Sequence, residues 1–129
     1  TYGIHPELAV AVDVTFGRSI DSPDEKTFPL GSGPVIGIGP NMAGWMTERL
    51  VKKAEELELP YQMEVMSGSS GTNGWEIQVS REGVATAILS LPLNYMHMPL
   101  EVIHQSDVEN CSKLLAAFIE NLGEEAALC

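Results

Sequence analysis

Two residues of this chain carry side chains suited to a divalent metal and stand at the ends of apolar strands. Asp13 lies in Ala11-Val-Asp-Val-Thr15, and His97 closes Tyr95-Met-His97 after the apolar run from Val84 to Pro92. In an open α/β sheet, ligands gather beyond the carboxyl ends of parallel strands. A carboxylate and an imidazole there suit zinc or cobalt. Each residue, taken singly, has a commoner structural role. An ionised carboxylate in an apolar strand is costly unless paired or metal-bound, and Arg18 is the nearest partner for Asp13. His97, between two methionines and before Pro99, also reads as a loop histidine bonded to a backbone carbonyl. Two ligands are fewer than a metal site needs.

The remaining chemistry is thin. Gly71-Thr-Asn-Gly74 forms a tight loop able to offer backbone amides or the Asn73 side chain. Ser19, Ser69 and Ser70 have no identifiable base, and His5 and His104 have no motif around them. Glu64, Glu76 and Glu101 are carboxylates at no paired spacing. Gly37-Ile-Gly39 lacks the third glycine of a dinucleotide fingerprint.

The elements that must position these residues follow from periodicity. The chain has 129 residues, enough for one domain, and a net charge of −11, which argues against nucleic acid. No apolar run reaches the roughly 18 residues of a membrane span. Two cysteines, Cys111 and Cys129, make no disulfide framework, and a cytoplasmic setting is expected. Thr1 in place of an initiator Met points to a processed or truncated product. Leu8 to Val14 is apolar on both faces, as for a central strand with covered faces. Gly17 to Gly33 reads as a surface loop, and Pro34 to Ile38 as a short strand. Asn41 is placed to cap a helix whose stripe runs from Met42 to Leu57. Tyr61 to Val65 alternates as a strand, Asn73 to Val79 reads as a short helix, and Ala85 to Leu91 as a second buried strand. Ser106 with Glu109 forms a capping box for a last helix that Gly123 ends. Strands alternating with helices imply an α/β layer with a largely parallel sheet.

Read in order, these segments resemble a known family. They are Gly3-Ile-His-Pro-Glu-Leu-Ala-Val-Ala-Val-Asp-Val-Thr15, Gly33-Pro-Val-Ile36, Gly39-Pro-Asn41, Pro60-Tyr-Gln62, Ser70-Gly-Thr-Asn-Gly74, Gly83-Val-Ala-Thr-Ala87 and Tyr95-Met-His-Met-Pro-Leu-Glu-Val102. Together they are similar to the C-terminal part of the glutamyl or deblocking aminopeptidases, metallopeptidase family 42. That family includes tetrahedral aminopeptidases and proteins labelled cellulase M. The resemblance implies a three-layer α/β/α zinc-peptidase-like domain with a mixed, largely parallel sheet. Residues 1–129 would be the C-terminal portion of its catalytic domain, without the N-terminal portion or the small inserted domain. It further implies two divalent metal ions, zinc or cobalt. Asp13 matches the terminal carboxylate ligand of one and His97 the terminal histidine ligand of the other. Thr72, Asn73, Gly74 and Glu101 are the implied substrate contacts.

The family's early histidine, bridging aspartate and paired glutamates precede this region, so the chain alone is expected to bind metal poorly and to hydrolyse nothing. Phe16 stands where the family often has histidine, Asn73 where aspartate is frequent, and Met98 where a small hydroxyl residue is usual. Peptides are the implied substrate, and homo-oligomers, from dimers to tetrahedral dodecamers, the implied assembly. A non-catalytic binding or assembly module of the same fold is the second reading. A glycoside hydrolase using Glu64, Glu76 or Glu101 is the third.

Overall fold

The computed structural model describes residues 1–69 and 71–125; Ser70 and Cys129 lie outside the described residues. Seven principal elements follow one another: β1 (Leu8–Phe16), β2 (Val35–Ile38), α1 (Gly44–Glu56), β3 (Gln62–Val65), α2 (Asn73–Gln78), β4 (Ala85–Leu93) and α3 (Gln105–Glu125). The four strands form one sheet in the order β1-β4-β2-β3. β1 runs parallel to β4 and β2 parallel to β3, while β2 meets β4 antiparallel. The fold is therefore α/β with a mixed, largely parallel sheet.

The two faces of the sheet bury different things. On one, α1 and α3 lay down Met46, Leu50, Ala54, Cys111, Leu114 and Phe118 over Ile36, Ala87 and Leu89. These helices form because apolar residues recur every three or four positions, leaving charged ones such as Lys53 and Glu56 to pair outside. Each fully buried Leu, Ile or Phe contributes about 1.5–3 kcal/mol. The other face is more lightly covered: α2 brings Ile77 against Ala11, Met42, Met66 and Ile88. Gly74 of α2 sits so close to the sheet that a Cβ would come 2.8 Å from the Ile88 side chain.

Several sequence expectations are corrected here. Among the described residues β1 is an edge strand, not a central one with covered faces, and Val12 is 50% exposed upon it. Asn41 does not cap α1; its amide donates to the Gly68 carbonyl at 3.0 Å, and Ala43 precedes the helix without a side-chain cap. The capping box at α3 does not form. The helix begins at Gln105, two residues earlier than a Ser106 cap would place it, and Ser106 Oγ bonds His104 Nδ1 (2.6 Å) while Glu109 accepts from Gln105 (2.8 Å). α3 also runs through Gly123 to Glu125, since a glycine near a helix end costs only about 1 kcal/mol. The Gly17 to Gly33 stretch holds a single 3-10 turn, Asp24–Lys26.

Candidate metal centre

Parallel pairing is what brings the two candidate ligands together. The β1–β4 register sets Asp13 opposite Ser90 and Phe16 opposite Leu93, so both strands finish on the same side of the molecule. β1 runs three residues beyond Asp13, which places the carboxylate within the strand rather than past its end. Alternation puts Asp13 and Thr15 on the face that also carries Ala11, the lightly covered one. His97 follows β4 in a short loop closed by reciprocal backbone bonds between Asn94 and Val102 (2.9 and 3.1 Å).

Asp13 and His97 line one cavity of about 400 Å³ on that face. Asp13 is half-buried, and its Oδ1 accepts from the Val14 backbone N–H at 2.9 Å. Arg18 is not its partner; the guanidinium pairs with Asp24 at 3.3 Å and donates to the Asp24 and Thr27 carbonyls. His97 is exposed, with its backbone in the left-handed region at φ 63°. Its N–H donates to the Glu101 carboxylate at 2.8 Å. Among the described residues, no three His, Cys, Asp or Glu side chains are grouped to hold a metal ion. One carboxylate and one imidazole on a shared cavity fit part of a metal centre and not a closed one.

The four expected substrate contacts separate. Thr72 lines the cavity, and as the residue before α2 its hydroxyl accepts from Gly74 N–H at 3.2 Å. Asn73 is exposed at the first turn of α2, and Gly74 is buried against Ile88; neither lines the cavity. Glu101 is exposed off the lining and acts on the backbone of His97 instead. Of the three glutamates weighed for sugar chemistry, Glu64 alone reaches the cavity.

Three polar residues of the cavity were not singled out for it from the sequence: Thr15, Ser90 and Glu64. Thr15 Oγ1 donates to Glu64 Oε1 at 3.1 Å. Opposite Glu64 in the β2–β3 pair stands Gly37, so β2 raises no side chain on this face there. Burial pushes the Glu64 carboxyl above its ordinary range, and the Thr15 hydrogen bond offsets this in part. The available signal was parity. Ser90 shares a face with Ile88, and its register partner is Asp13.

The family model for M42 glutamyl aminopeptidases matches residues 1–114. A lysyl aminopeptidase from Pyrococcus furiosus is 38% identical over 122 residues, covering 95% of this chain and 35% of the relative. An aminopeptidase structure from the archaeon Desulfurococcus kamchatkensis superposes with a TM-score of 0.82 at 37% identity, covering 93% of this chain and 36% of that one. A Pyrococcus horikoshii TET1 peptidase, described as assembling into a tetrahedron or a large octahedral shell, gives a TM-score of 0.64 at 27% identity over 88% of this chain and 34% of its own. The chain thus spans about a third of the length of these proteins.

Proposed function

The chain belongs to the M42 glutamyl aminopeptidase family, and we propose that it supplies one terminal ligand to each metal of a dinuclear aminopeptidase centre. Asp13 would hold one ion and His97 the other. When bound, zinc or cobalt would supply Lewis-acid polarisation of a scissile carbonyl. The observation that carries this reading is the shared cavity, reached by Asp13 from β1 and by His97 from the loop after β4. Among the described residues, neither side chain is paired with an opposite charge: Arg18 is turned toward Asp24. Glu101 orients the His97 loop through the backbone. Thr72 borders the space in which a peptide N-terminus would lie.

The substrate is a peptide, and the reaction is removal of its N-terminal residue. The Pyrococcus furiosus relative makes a lysyl substrate the first to try. Self-assembly is part of the proposal, supported by the shell-forming TET1 peptidase. With two of the needed ligands and, among the described residues, no three His, Cys, Asp or Glu side chains placed to hold an ion, the 129-residue chain by itself binds metal weakly and is inactive.

Aminoacyl-p-nitroanilide hydrolysis, measured on the full-length gene product and on this chain with cobalt added, tests both halves. Chelator-sensitive activity of the full-length product is expected, with a loss in Asp13→Ala or His97→Ala larger than the roughly 10–100-fold that follows removal of an outer-shell partner of a metal ligand. Comparable cobalt-restored activity from the 129-residue chain would overturn the claim of incompleteness. An inactive full-length product that still binds peptide would favour a non-catalytic module, and turnover of carboxymethyl-cellulose a sugar hydrolase.

A further inference from the structure

Beyond the two candidate ligands, the cavity carries a second polar cluster with unmet hydrogen-bonding capacity. Glu64 Oε2 is shielded from solvent and has no hydrogen-bond partner among the described residues, although Oε1 is held by Thr15. Ser90 Oγ is in the same condition, on a residue only 1% exposed. Both line the cavity that holds Asp13 and His97. No Lys or Arg lines it among the described residues. A buried polar oxygen left without a partner is destabilising, more so for a carboxylate, so a donor arriving from outside is rewarded.

Apolar residues share the lining with this cluster. Met66 and Phe16 border the same space. Acceptors that share a cavity with apolar side chains suit a cation on an alkyl stem, because an ammonium has three donors and can serve a carboxylate and a hydroxyl together. We propose that Glu64, with Ser90 and Thr15, forms a specificity subsite for the cationic side chain of the substrate's N-terminal residue. This rests on the aminopeptidase reading for the identity of the substrate, and on the cavity alone for the cation. Desolvation raises the Glu64 carboxyl, and an ammonium beside it reverses that effect, which adds to the selectivity for charge over bulk.

The test compares lysyl, norleucyl and glutamyl p-nitroanilides on the full-length gene product. Lysine and norleucine share the stem and the α-amine and differ at the side-chain ammonium. The lysyl-to-norleucyl ratio of kcat/KM is expected to be at least ten, to fall about tenfold in E64Q, and to shift toward glutamyl in E64K. A ratio near one, or one unchanged in E64Q, overturns the subsite. Should E64Q fold poorly by circular dichroism, ε-acetyl-lysyl substrate on the wild-type protein makes the same comparison.

A separate titration of the 129-residue chain with lysinamide and norleucinamide, followed by amide NMR, keeps the two readings apart. Lysinamide alone should shift the Thr15 and Ser90 signals. Equal shifts from both amides would assign the cluster to the α-amine and overturn the side-chain subsite. Absence of all hydrolysis, with selective lysinamide shifts, would sink the aminopeptidase reading and leave the cation subsite standing.

Discussion

His97 is held in a backbone conformation that costs a non-glycine residue about 1–2 kcal/mol. Its φ is 63°, Tyr95 two positions earlier has the same value, and the turn is closed by Met98 N–H to the Tyr95 carbonyl (3.0 Å) and by Glu101. Strain of this kind is kept where a side chain must be presented. His97→Gly is expected to be more stable than His97→Ala by about 1 kcal/mol in urea melts, because glycine enters this region freely. Equal stabilities would show that the turn relaxes and that the strain is not imposed by its surroundings. Glu64 gives a second test, with a definite sign. Burial raises its carboxyl above the ordinary 4.5, so the folded chain holds that proton more tightly than the unfolded one. The stability so contributed is fully present below the ordinary value and is lost as pH rises through the folded one. Glu64→Gln should therefore melt above wild type at pH 7, and the two should converge near pH 4. An E64Q variant that melts lower at pH 7 would contradict the assignment of a desolvated carboxylate.

Helix α3 shows what periodicity reveals and what it conceals. Its stripe of Cys111, Leu114 and Phe118 is legible because each residue obeys the helical repeat. Asp107 is not legible, since an acid in a first turn reads as a solvated partner of the helix dipole. In the structure it is fully buried and accepts from Gly31 N–H (2.7 Å) and Gly33 N–H (2.8 Å). It thereby fastens the start of α3 to the turn before β2. Gly33 in that turn has φ 94°, and a Cβ there would lie 2.0 Å from the Pro60 carbonyl oxygen. Asp107→Ala strands the buried Gly33 donor and frees the exposed Gly31 donor to water, and is expected to cost about 1–3 kcal/mol in chemical denaturation, with Asp107→Asn costing less because one carbonyl oxygen remains. Losses below about 1 kcal/mol for both would mean that water replaces the carboxylate. Strand β3 misleads in the opposite way. Its alternation invites Met63 and Val65 inward, yet they are exposed, while Gln62 and Glu64 take the half-buried side and Gln62 donates to the Pro29 and Gly33 carbonyls. Polar side chains won that face because loop carbonyls and Thr15 were there to meet them, and those partners are distant in sequence. Strand pairing across the sequence is also what brings Ser90 and Glu64 to the cavity, which neither residue's own surroundings announce, whereas Asp13 and His97 were visible because each interrupts an apolar strand or its exit. The failed caps at Asn41 and Ser106 follow suit: both side chains found other partners.

At the scale of the molecule, two forces oppose each other. A net charge of −11 keeps copies apart. Against it stands β1, an edge strand in the described structure, with Val12 50% and Phe16 59% exposed, and at the far edge Val65 80% exposed. An edge of this length with apolar side chains is a template for pairing with another chain. Repulsion between copies is a long-range effect, screened as the Debye length shrinks from about 10 Å at 0.1 M salt to about 3 Å at 1 M. Burial of the apolar edge is not screened. Association of the 129-residue chain should therefore increase with salt, the reverse of an assembly held by opposite charges. Val12→Lys replaces an apolar side chain of the edge with a charge that is costly to bury at any ionic strength, and should shift the chain toward monomer at both salt concentrations while leaving its far-UV circular dichroism unchanged. Sedimentation velocity at 0.1 and 1 M sodium chloride decides it. A wild-type chain that is monomeric in both, or a V12K variant that associates as the wild type does, would remove β1 as the seat of association and leave the exposed β3 edge at Val65 as the surface to mutate next.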